Sequence, residues 1–463
     1  MKSKIKKNLQ LHPFTLLFIV LVIATILANF VPSGTFERVE MDGRTIVKPG
    51  TFTSVDKTNV GFKTFFVSFY EGFKNASSLM AMIFFAGACF GVVNGINLME
   101  VGLKTLAYKL RNTHFAVIAF ILMAAIGTQV AFTSMWELSV VILPMIIPLA
   151  LSLGYDVVTG AAIVILAACA GFGAAMTNPL FTAIAHKIAE LPIYSALWYR
   201  AISYVVVLLV SFIYLIIYAD KVKKNPEKSV MYGIETKYKA FDDKIEPFTP
   251  KLKRASVVFI LGLLFLVFGT IKFNFDFPEI AATFIAIGLF VGLVYGLNIN
   301  QIMIYFSNGM KDLFEAGMVM LFARAILYVM EQSQIIDTII FYLSNIVTGH
   351  GSMLTAVLIF FMQTIINFLV PSGSGQAAIT MPIMIPLADL GGVNRQVACL
   401  ASQFGDGFSN FIYPTNGSLI AILSVAGIPY NRWFKFFAPL FIIIVIISSI
   451  LVSIASLINL GPF

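Results

Sequence analysis

The sequence predicts an all-α protein that crosses a membrane about ten to twelve times. Of its 463 residues, 59% are hydrophobic and only 12% are charged, and the mean hydropathy is +0.90. Soluble domains do not have such a composition. The apolar runs are continuous and roughly 20 residues long, as bilayer-spanning helices require. The alternating strands of an outer-membrane barrel are therefore excluded.

Long apolar runs recur along the whole chain and give the predicted spans. They lie at about residues 14–32, 78–97, 114–132, 157–176, 196–219, 254–273, 277–297, 317–333, 350–370, 395–412 and 434–459. The first run follows a basic head, but it is too long for a signal-peptide core and is interpreted as a retained helix. Amphipathic stretches at 61–77 and 304–317 are expected to lie along the membrane interface.

Positive charge is concentrated in the basic head and in one polar segment at the middle of the chain. There are 31 Lys and Arg against 23 Asp and Glu. Such segments are typical of cytoplasmic loops, so membrane lipid and not nucleic acid is the expected partner. Residues 220–253 are predicted to be a cytoplasmic linker between a first repeat, residues 1–219, and a second repeat, residues 254–463. The low-charge, Ile- and Phe-rich composition suits a bacterial inner membrane.

The two halves match each other in one register. "LPMIIPLALSLG" at 143–154 aligns with "MPIMIPLADLGG" at 381–392, and without a gap the Thr-Asn pair at 177–178 aligns with the pair at 415–416. Other matches in this register are Ser134 with Ser372, Pro144 with Pro382, Pro148 with Pro386 and Gly154 with Gly392. We therefore expect an internal duplication.

Each half carries two helix interruptions at corresponding places. Two prolines four residues apart predict a re-entrant hairpin, in which a tip joins two short helices, at about 133–153 and 371–391. Proline or glycine beside Thr-Asn in mid-span predicts broken helices at about 157–190 and 395–426. Broken backbone survives at this depth only where protein or a polar cavity satisfies it. Paired discontinuous segments indicate the binding site of a secondary transporter; the alternative is a pair of structural kinks.

The number of predicted spans conflicts with this duplication. Six crossings between the matched motifs would make the halves parallel, whereas inverted repeats need an odd number. Five crossings before residue 220 would put the basic head and the basic linker on opposite sides. We therefore expect one amphipathic stretch or short run in each half to be misassigned.

The second-half motif resembles a known family of carriers. "NFLVPSGSGQAAITMPIMIPLADLGGVNRQVACLASQFGDGFSNFIYPTNGSL" at 367–419 closely resembles the signature of YfcC-like carriers, which group with C4-dicarboxylate anaerobic carriers in the ion transporter superfamily. "FTSMWELSVVILPMIIPLALSLGYD" in the first half is similar more loosely. The resemblance implies two repeats that form a scaffold domain and a moving transport domain, usually in a homodimer that works by an elevator motion.

The resemblance also implies which residues line the substrate and ion sites. In the second half these are Ser372, Gly373, Ser374, Gly375, Gln376, Thr415 and Asn416, and Asn410 belongs to the same motif. Their first-half counterparts are Thr133, Ser134, Glu137, Thr177 and Asn178. No cofactor or resident metal is expected. The coupling ion is either H⁺ or Na⁺, with Na⁺ near Thr177, Asn178, Thr415 and Asn416.

Acidic residues in the predicted site favour one class of substrate. An ionisable group inside a membrane costs at least about 2.5 kcal/mol and is functional by default. Glu137 and Asp406 lie in these segments, and Asp389 is a weaker acidic candidate. Lys187 and Arg395 lie only near segment ends, where their charged groups can reach the interface. Two unpaired carboxylates favour a cationic substrate, as in arginine/ornithine exchange. The alternative is a Na⁺- or H⁺-coupled carrier of C4-dicarboxylates or short-chain carboxylates. Arg324 is expected to pair with an acid or to reach an interface.

Other function classes fit the sequence less well. Cys89, Cys169 and Cys399 lie singly in apolar runs, which indicates neither disulfides nor a metal cluster. "QFGDGF" lacks the GxGD spacing of an aspartyl intramembrane protease because Gln403 and Phe404 precede Gly405. "SGSG" lacks the setting of a nucleophile elbow. A channel is a further alternative, but paired hairpins suit alternating access better.

Overall fold

A computed structural model describes residues 12–41, 44–110, 113–178, 181–240, 248–273, 275–347 and 349–461. Most of these residues are helical. Helices α1 to α9 are Pro13–Phe30, Phe62–Gly95, Leu98–Leu110, Phe115–Thr133, Ser139–Ser152, Val157–Gly173, Thr182–Ile188, Leu197–Lys224 and Pro250–Lys272. Helices α10 to α18 are Phe277–Tyr295, Ile299–Asp312, Phe314–Gln332, Ile335–Val347, Ser352–Leu369, Gly373–Leu390, Arg395–Ser409, Gly417–Ala426 and Tyr430–Leu457. Two 3-10 turns lie at Trp136–Leu138 and Pro226–Lys228.

Four short strands lie between α1 and α2. They are β1 Gly34–Thr35, β2 Arg38–Met41, β3 Arg44–Val47 and β4 Thr53–Ser54. Strands β1 and β4 pair antiparallel, as do β2 and β3, where Arg38 lies opposite Val47. Asp337 of α13 accepts hydrogen bonds from the Phe36 N–H at 3.0 Å and from the Arg38 guanidinium at 3.1 Å. The strands are therefore anchored to the second half of the chain.

Fewer helices can cross a membrane alone than the ten to twelve predicted. Among the described residues, eight are long and apolar enough: α1, α2, α4, α8, α9, α10, α14 and α18. The pair α11 and α12, bent by 48°, makes up to nine. The predicted amphipathic stretch at 61–77 is not a separate interfacial helix, because it continues into the following span as α2, which has 34 residues.

The predicted proline hairpins differ from the observed helices. Pro382 and Pro386 lie inside one continuous helix, α15, so no tip lies between the two prolines. Pro144 and Pro148 likewise lie inside α5. The turn lies at residues 370–372, where α14 ends and α15 begins, at the start of the predicted range 371–391. Prolines four apart fall on one helix face, where a helix accommodates the lost N–H bonds by bending. The predicted breaks between α6 and α7 and between α16 and α17 are present.

The helices pack as two groups. The α2 bundle contains α1, α2 and α9–α12, and the hairpin bundle contains α4–α8 and α14–α18. Within the α2 bundle, a Cβ on Gly309 of α11 would overlap the carbonyl of Gly87 on α2, so both residues must be small. Between the bundles, α17 packs on α12, where a Cβ on Gly417 would lie 2.8 Å from the Cβ of Ala323. Small residues thus permit close approach at both contacts.

Candidate substrate and ion site

The two breaks share one hydrogen bond. After the first break, the Asn178 Oδ1 accepts the N–H of Phe181 at 3.0 Å. After the second, the Asn416 Oδ1 accepts the N–H of Leu419 at 3.2 Å. Asn416 is the N-cap of α17, a position that asparagine favours, whereas the N-cap of α7 is Phe181. The aligned asparagines therefore bond the chain three residues later in both halves, but only Asn416 caps a helix.

Gln403 of α16 connects the two broken helices. Its Oε1 accepts from the Asn178 Nδ2 at 3.3 Å and from the Thr182 hydroxyl at 3.0 Å. Its Nε2 donates to the carbonyl of Phe172 at 3.0 Å. All four residues are buried. The first break is therefore fixed against the helix that leads into the second break.

The turn of the second hairpin begins with a capped helix. Ser372 is the N-cap of α15 and its hydroxyl accepts the N–H of Gly375 at 3.4 Å. Gly373, Ser374 and Gly375 form the first turn and are half-buried. Gln376 is fully buried and does not face an open site; its Nε2 donates to the Gln363 Oε1 at 2.7 Å.

Gln363 also bonds the Thr380 hydroxyl, with its Nε2 as donor at 2.8 Å. These contacts join α14 to α15 as antiparallel arms, and we refer to the two helices as the second hairpin.

The first hairpin turn lies beside the first break. The Thr133 hydroxyl donates a hydrogen bond to the backbone carbonyl of Gln129 at 2.9 Å. Ser134 is fully buried with φ 58°, and its hydroxyl has no partner among the residues that the structure describes. The Thr177 hydroxyl donates to the carbonyl of Phe132 at 2.7 Å. The ring of Trp136 lies 4.7 Å from that of Phe411, so this turn also touches the second break.

Arg324 brings a positive charge to the predicted site from the α2 bundle. Together with Pro371, Asn416 and Ser418 it lines a cavity of about 40 Å³ between α12 and the second hairpin and break. It interacts electrostatically with Glu331 of the same helix and, more weakly, with Glu137, which lies half-buried in the first hairpin turn. Arg324 therefore faces acids, as expected.

Asp406 is the least satisfied polar side chain of the site. It is fully buried, and neither carboxylate oxygen has a partner in the described part of the chain. Its backbone carbonyl accepts from Asn410 at 2.7 Å and from Asn367 at 3.0 Å. The Asn410 Oδ1 accepts from Asn416. Of the four residues predicted near Na⁺, only Thr415 has a buried hydroxyl without a partner among the described residues.

A larger cleft of about 400 Å³ opens between the two bundles. Its walls come from α2, α5, α11 and the end of α17, and the linker residues Lys237 and Tyr238 lie at its mouth. Val140 and Val141, one helical turn after Glu137, line it. The volume is within the range of small-molecule sites, whereas the cavity beside Arg324 is far below it.

Comparison with known proteins decides the family. The sequence model of the C4-dicarboxylate anaerobic carriers (DcuC) matches residues 12–457. The chain belongs to this family. It is 32% identical to the "Putative basic amino acid antiporter YfcC" of Escherichia coli (strain K12), over 81% of this chain and 76% of that protein. It is 29% identical to an uncharacterized protein of Haemophilus influenzae, over 97% of both chains.

Similarity to solved structures is weaker. The crystal structure of the Alcanivorax borkumensis YdaH transporter covers 98% of this chain at 18% identity, with a TM-score of 0.44. Family membership and the eight candidate spans confirm the predicted location, a multi-pass protein of a bacterial inner membrane. As a C4-dicarboxylate anaerobic carrier family member, the protein is a membrane transporter.

Sequence reasoning on this carrier missed several buried polar residues. Gln363 and Asn367 orient the second hairpin and Asp406, and Gln403 joins the breaks. Their signal was present, because each is an amide inside an otherwise apolar segment, where a polar group needs a partner. Asp389, a weaker acidic candidate, is exposed and paired with Arg395 at 2.8 Å, which removes it from the site.

Proposed function

We propose that the protein is a secondary active transporter that exchanges basic amino acids, such as arginine and ornithine. The observation that carries this proposal is Arg324 beside Asn416, within electrostatic reach of Glu137. An amino acid presents a carboxylate and at least one cationic group. Arg324 suits the carboxylate, and Glu137 suits the cationic end. The printed name of the Escherichia coli relative supports the same substrate class.

Helix order supports inverted repeats within this proposal. If each hairpin enters and leaves on one side, five crossings separate the hairpins: α6–α7, α8, α9, α10 and α11–α12. Four crossings precede the linker: α1, α2, α6–α7 and α8. An odd separation makes the halves inverted, and an even count puts the basic head and linker on one side. Under this proposal, α4 and α14 are long enough to cross but act as the first arms of the hairpins, and counting them as spans explains both conflicts.

Backbone geometry supports the duplication independently. Left-handed residues occur at matching junctions: Asn97 and Gln334 after α2 and α12, and Gly154 and Gly392 after α5 and α15. The N-caps of α6 and α16, Asp156 and Asn394, also align in the register of the Thr-Asn pairs. A duplicated chain would be expected to retain the same turn geometry at corresponding positions of its two halves.

An elevator motion of the hairpin bundle against the α2 bundle completes the proposal. The cleft between the bundles opens beside the linker, which the charge distribution assigns to the cytoplasm. We propose that this conformation faces inward and that the cleft is the route to the site. The homodimer implied by the family resemblance belongs to the same proposal.

A carboxylate carrier is the second candidate. Arg324 and the N-termini of α7 and α17, the helices that follow the two breaks, favour anionic groups. A C4-dicarboxylate would use these donors, but it offers no cationic group to Glu137 and would need Na⁺ or H⁺ beside it.

Counterflow in proteoliposomes tests the two candidates. Vesicles loaded with ornithine receive labelled arginine, and vesicles loaded with succinate receive labelled succinate, each with and without Na⁺. We expect ornithine-dependent arginine uptake. Glu137→Gln should abolish it, whereas Glu190→Gln, an exposed acid paired with Arg395, should not. Succinate exchange without arginine exchange would replace the basic amino acid with a dicarboxylate.

A further inference from the structure

We propose that Asp406, with the side-chain oxygens of Asn367 and Gln376, binds Na⁺ inside the hairpin bundle. The inference rests on the proposed function in one respect, because an ion bound here would be the one coupled to transport. It concerns a different set of residues from the two Thr-Asn pairs. The three side chains come from α16, α14 and α15.

Burial without partners is the first argument. Asp406, Asn367 and Gln376 are each 0% exposed. In the described part of the chain, both Asp406 carboxylate oxygens, the Asn367 Oδ1 and the Gln376 Oε1 have no hydrogen-bond partner of normal geometry. The Asn410 amide, which donates to the Asp406 backbone carbonyl, is the one polar side chain that also interacts with the carboxylate there. Asp406 also takes part in none of the ion pairs found among the described residues. An uncompensated buried carboxylate is strongly destabilising, so a positively charged ligand is expected.

The orientation of both amides is fixed by their nitrogens. The Gln376 Nε2 donates to the carbonyl and to the Oε1 of Gln363, at 2.9 and 2.7 Å. The Asn367 Nδ2 donates to the carbonyl of Asp406 at 3.0 Å and to the Ser409 hydroxyl at 2.7 Å. A flipped amide would set its oxygen against these carbonyls. The amide oxygens are therefore the atoms left for a ligand.

One hydrogen-bond network connects the three residues. Gln363 and Asn367 are four apart on α14, so they lie on the same helix face. Gln363 holds Gln376 at one end of this face, and Asn367 holds the backbone of Asp406 at the other. Gly405 lies against this face, where a Cβ would be 2.7 Å from the Gln363 Cβ. The close packing brings the α16 turn that carries Asp406 against α14.

The chemistry of the atoms selects a hard monovalent cation. Four oxygen acceptors lack a donor, and a proton on Asp406 would supply one hydrogen bond and leave the others unsatisfied. Hard cations take several oxygen ligands at once. Ser402, one helical turn before Asp406 and on its face, adds a fully buried hydroxyl without a partner. A single carboxylate among neutral oxygens suits the charge of Na⁺ better than that of a divalent ion.

Sodium binding to the substrate-free protein tests this site. Full-length protein in lipid nanodiscs is titrated with NaCl, with choline chloride holding ionic strength constant. Binding of radioactive Na⁺ and the Tm are measured. We expect saturable Na⁺ binding and a Na⁺-dependent rise in Tm, because a ligand that binds only the folded state stabilises it. Asp406→Asn should lower the Na⁺ affinity at least tenfold. Asp389→Asn, which neutralises an exposed acid at the end of α15, should leave it unchanged.

The outcomes separate this site from the proposed substrate. Absence of Na⁺ binding by the wild-type protein would overturn the site whether or not any variant folds, and so would a Tm that responds to pH but not to Na⁺. If Asp406→Asn does not fold, Asp406→Ala removes the same charge with less bulk. Intact Na⁺ binding without arginine exchange would support the Na⁺ site and contradict the proposed substrate. Arginine exchange without Na⁺ binding would support the substrate and contradict the Na⁺ site.

Discussion

Replacing Arg324 with glutamine tests whether this residue recognises a carboxylate. Arg324 lines the cavity beside Asn416 and is only partly exposed. A hydrogen bond to a charged group contributes about 1.5–3 kcal/mol. Since about 1.4 kcal/mol corresponds to a tenfold change in affinity, Arg324→Gln should weaken arginine binding by about 10- to 100-fold.

Agmatine, which is arginine without its carboxylate, makes the assay specific. Counterflow is measured with labelled arginine in competition with unlabelled arginine or agmatine. The wild-type protein should prefer arginine, and Arg324→Gln should bind the two compounds with similar affinity. Arg324→Lys should recover part of the preference, because it restores the charge but not the bidentate geometry.

Arg395→Gln is the matched control, since this arginine pairs with Asp389 near the surface. It should leave the preference for arginine unchanged. If Arg324→Gln still discriminates against agmatine as strongly as the wild-type protein, Arg324 does not bind the carboxylate. The assignment of this residue to substrate would then be wrong.

Three further changes probe contacts that hold the fold. Gly309→Ala should lower the free energy of unfolding by about 1–3 kcal/mol, because its methyl group would overlap the carbonyl of Gly87. Arg38→Gln should cost about 1.5–3 kcal/mol, because buried Asp337 would lose its charged partner. Tyr238→Phe should cost about 1 kcal/mol, because it removes a 2.9 Å hydrogen bond to a carbonyl at the end of α17. Thermal unfolding in detergent measures all three.

Each change has a control of the same chemistry. Gly102→Ala adds a methyl group inside α3, where the nearest atom is 4.0 Å away. Lys48→Gln breaks an exposed ion pair with Glu37, of a kind that contributes about 1 kcal/mol or less. Tyr232→Phe removes a hydroxyl from an exposed tyrosine. A control that lowers the Tm as much as its partner would contradict the corresponding contact.

The interruptions of the broken helices could be predicted because their causes are local. Asn178 and Asn416 each accept the backbone N–H three residues later, and Asn416 is the N-cap of α17; this preference of asparagine is readable from sequence. The observed hairpin turn at 370–372 lies at the start of the hairpin predicted at 371–391. The two short helices predicted within that range are instead one helix, α15, which contains Pro382 and Pro386. Proline removes one N–H and restricts its neighbour, yet tertiary packing decides whether a helix continues through it.

Arg324 could not be placed from sequence because its role depends on residues far along the chain. It comes from the α2 bundle, whereas Pro371 and Asn416 come from the hairpin bundle. No local pattern encodes that contact. The same reason explains the missed Gln363, whose partners lie across the hairpin turn. An intramembrane charge or amide signals that a partner exists, but only the packing identifies it.

The linker contacts bear on which bundle would move. Tyr238 donates to the carbonyl of Val425 at 2.9 Å, and Lys237 reaches the carbonyl of Ser424 at 3.4 Å, so the linker is bound to the hairpin bundle. Asp312, on the α2 bundle, lines the opposite wall of the cleft. Under the proposed elevator motion, this part of the linker would travel with α17.

The hairpin bundle would then slide against the α2 bundle at the contact between α17 and α12. There Gly417 faces Ala323 and Met320, small or flexible side chains that interlock little. Arg324 follows Ala323 directly, so sliding α17 along α12 would carry Asn416 away from the guanidinium. A substrate carboxylate held by Arg324 would therefore favour the conformation described here. By this argument, Arg324→Gln should speed the movement of the substrate-loaded hairpin bundle as well as weaken binding. Exchange at saturating substrate, where binding no longer limits the rate, would separate the two effects.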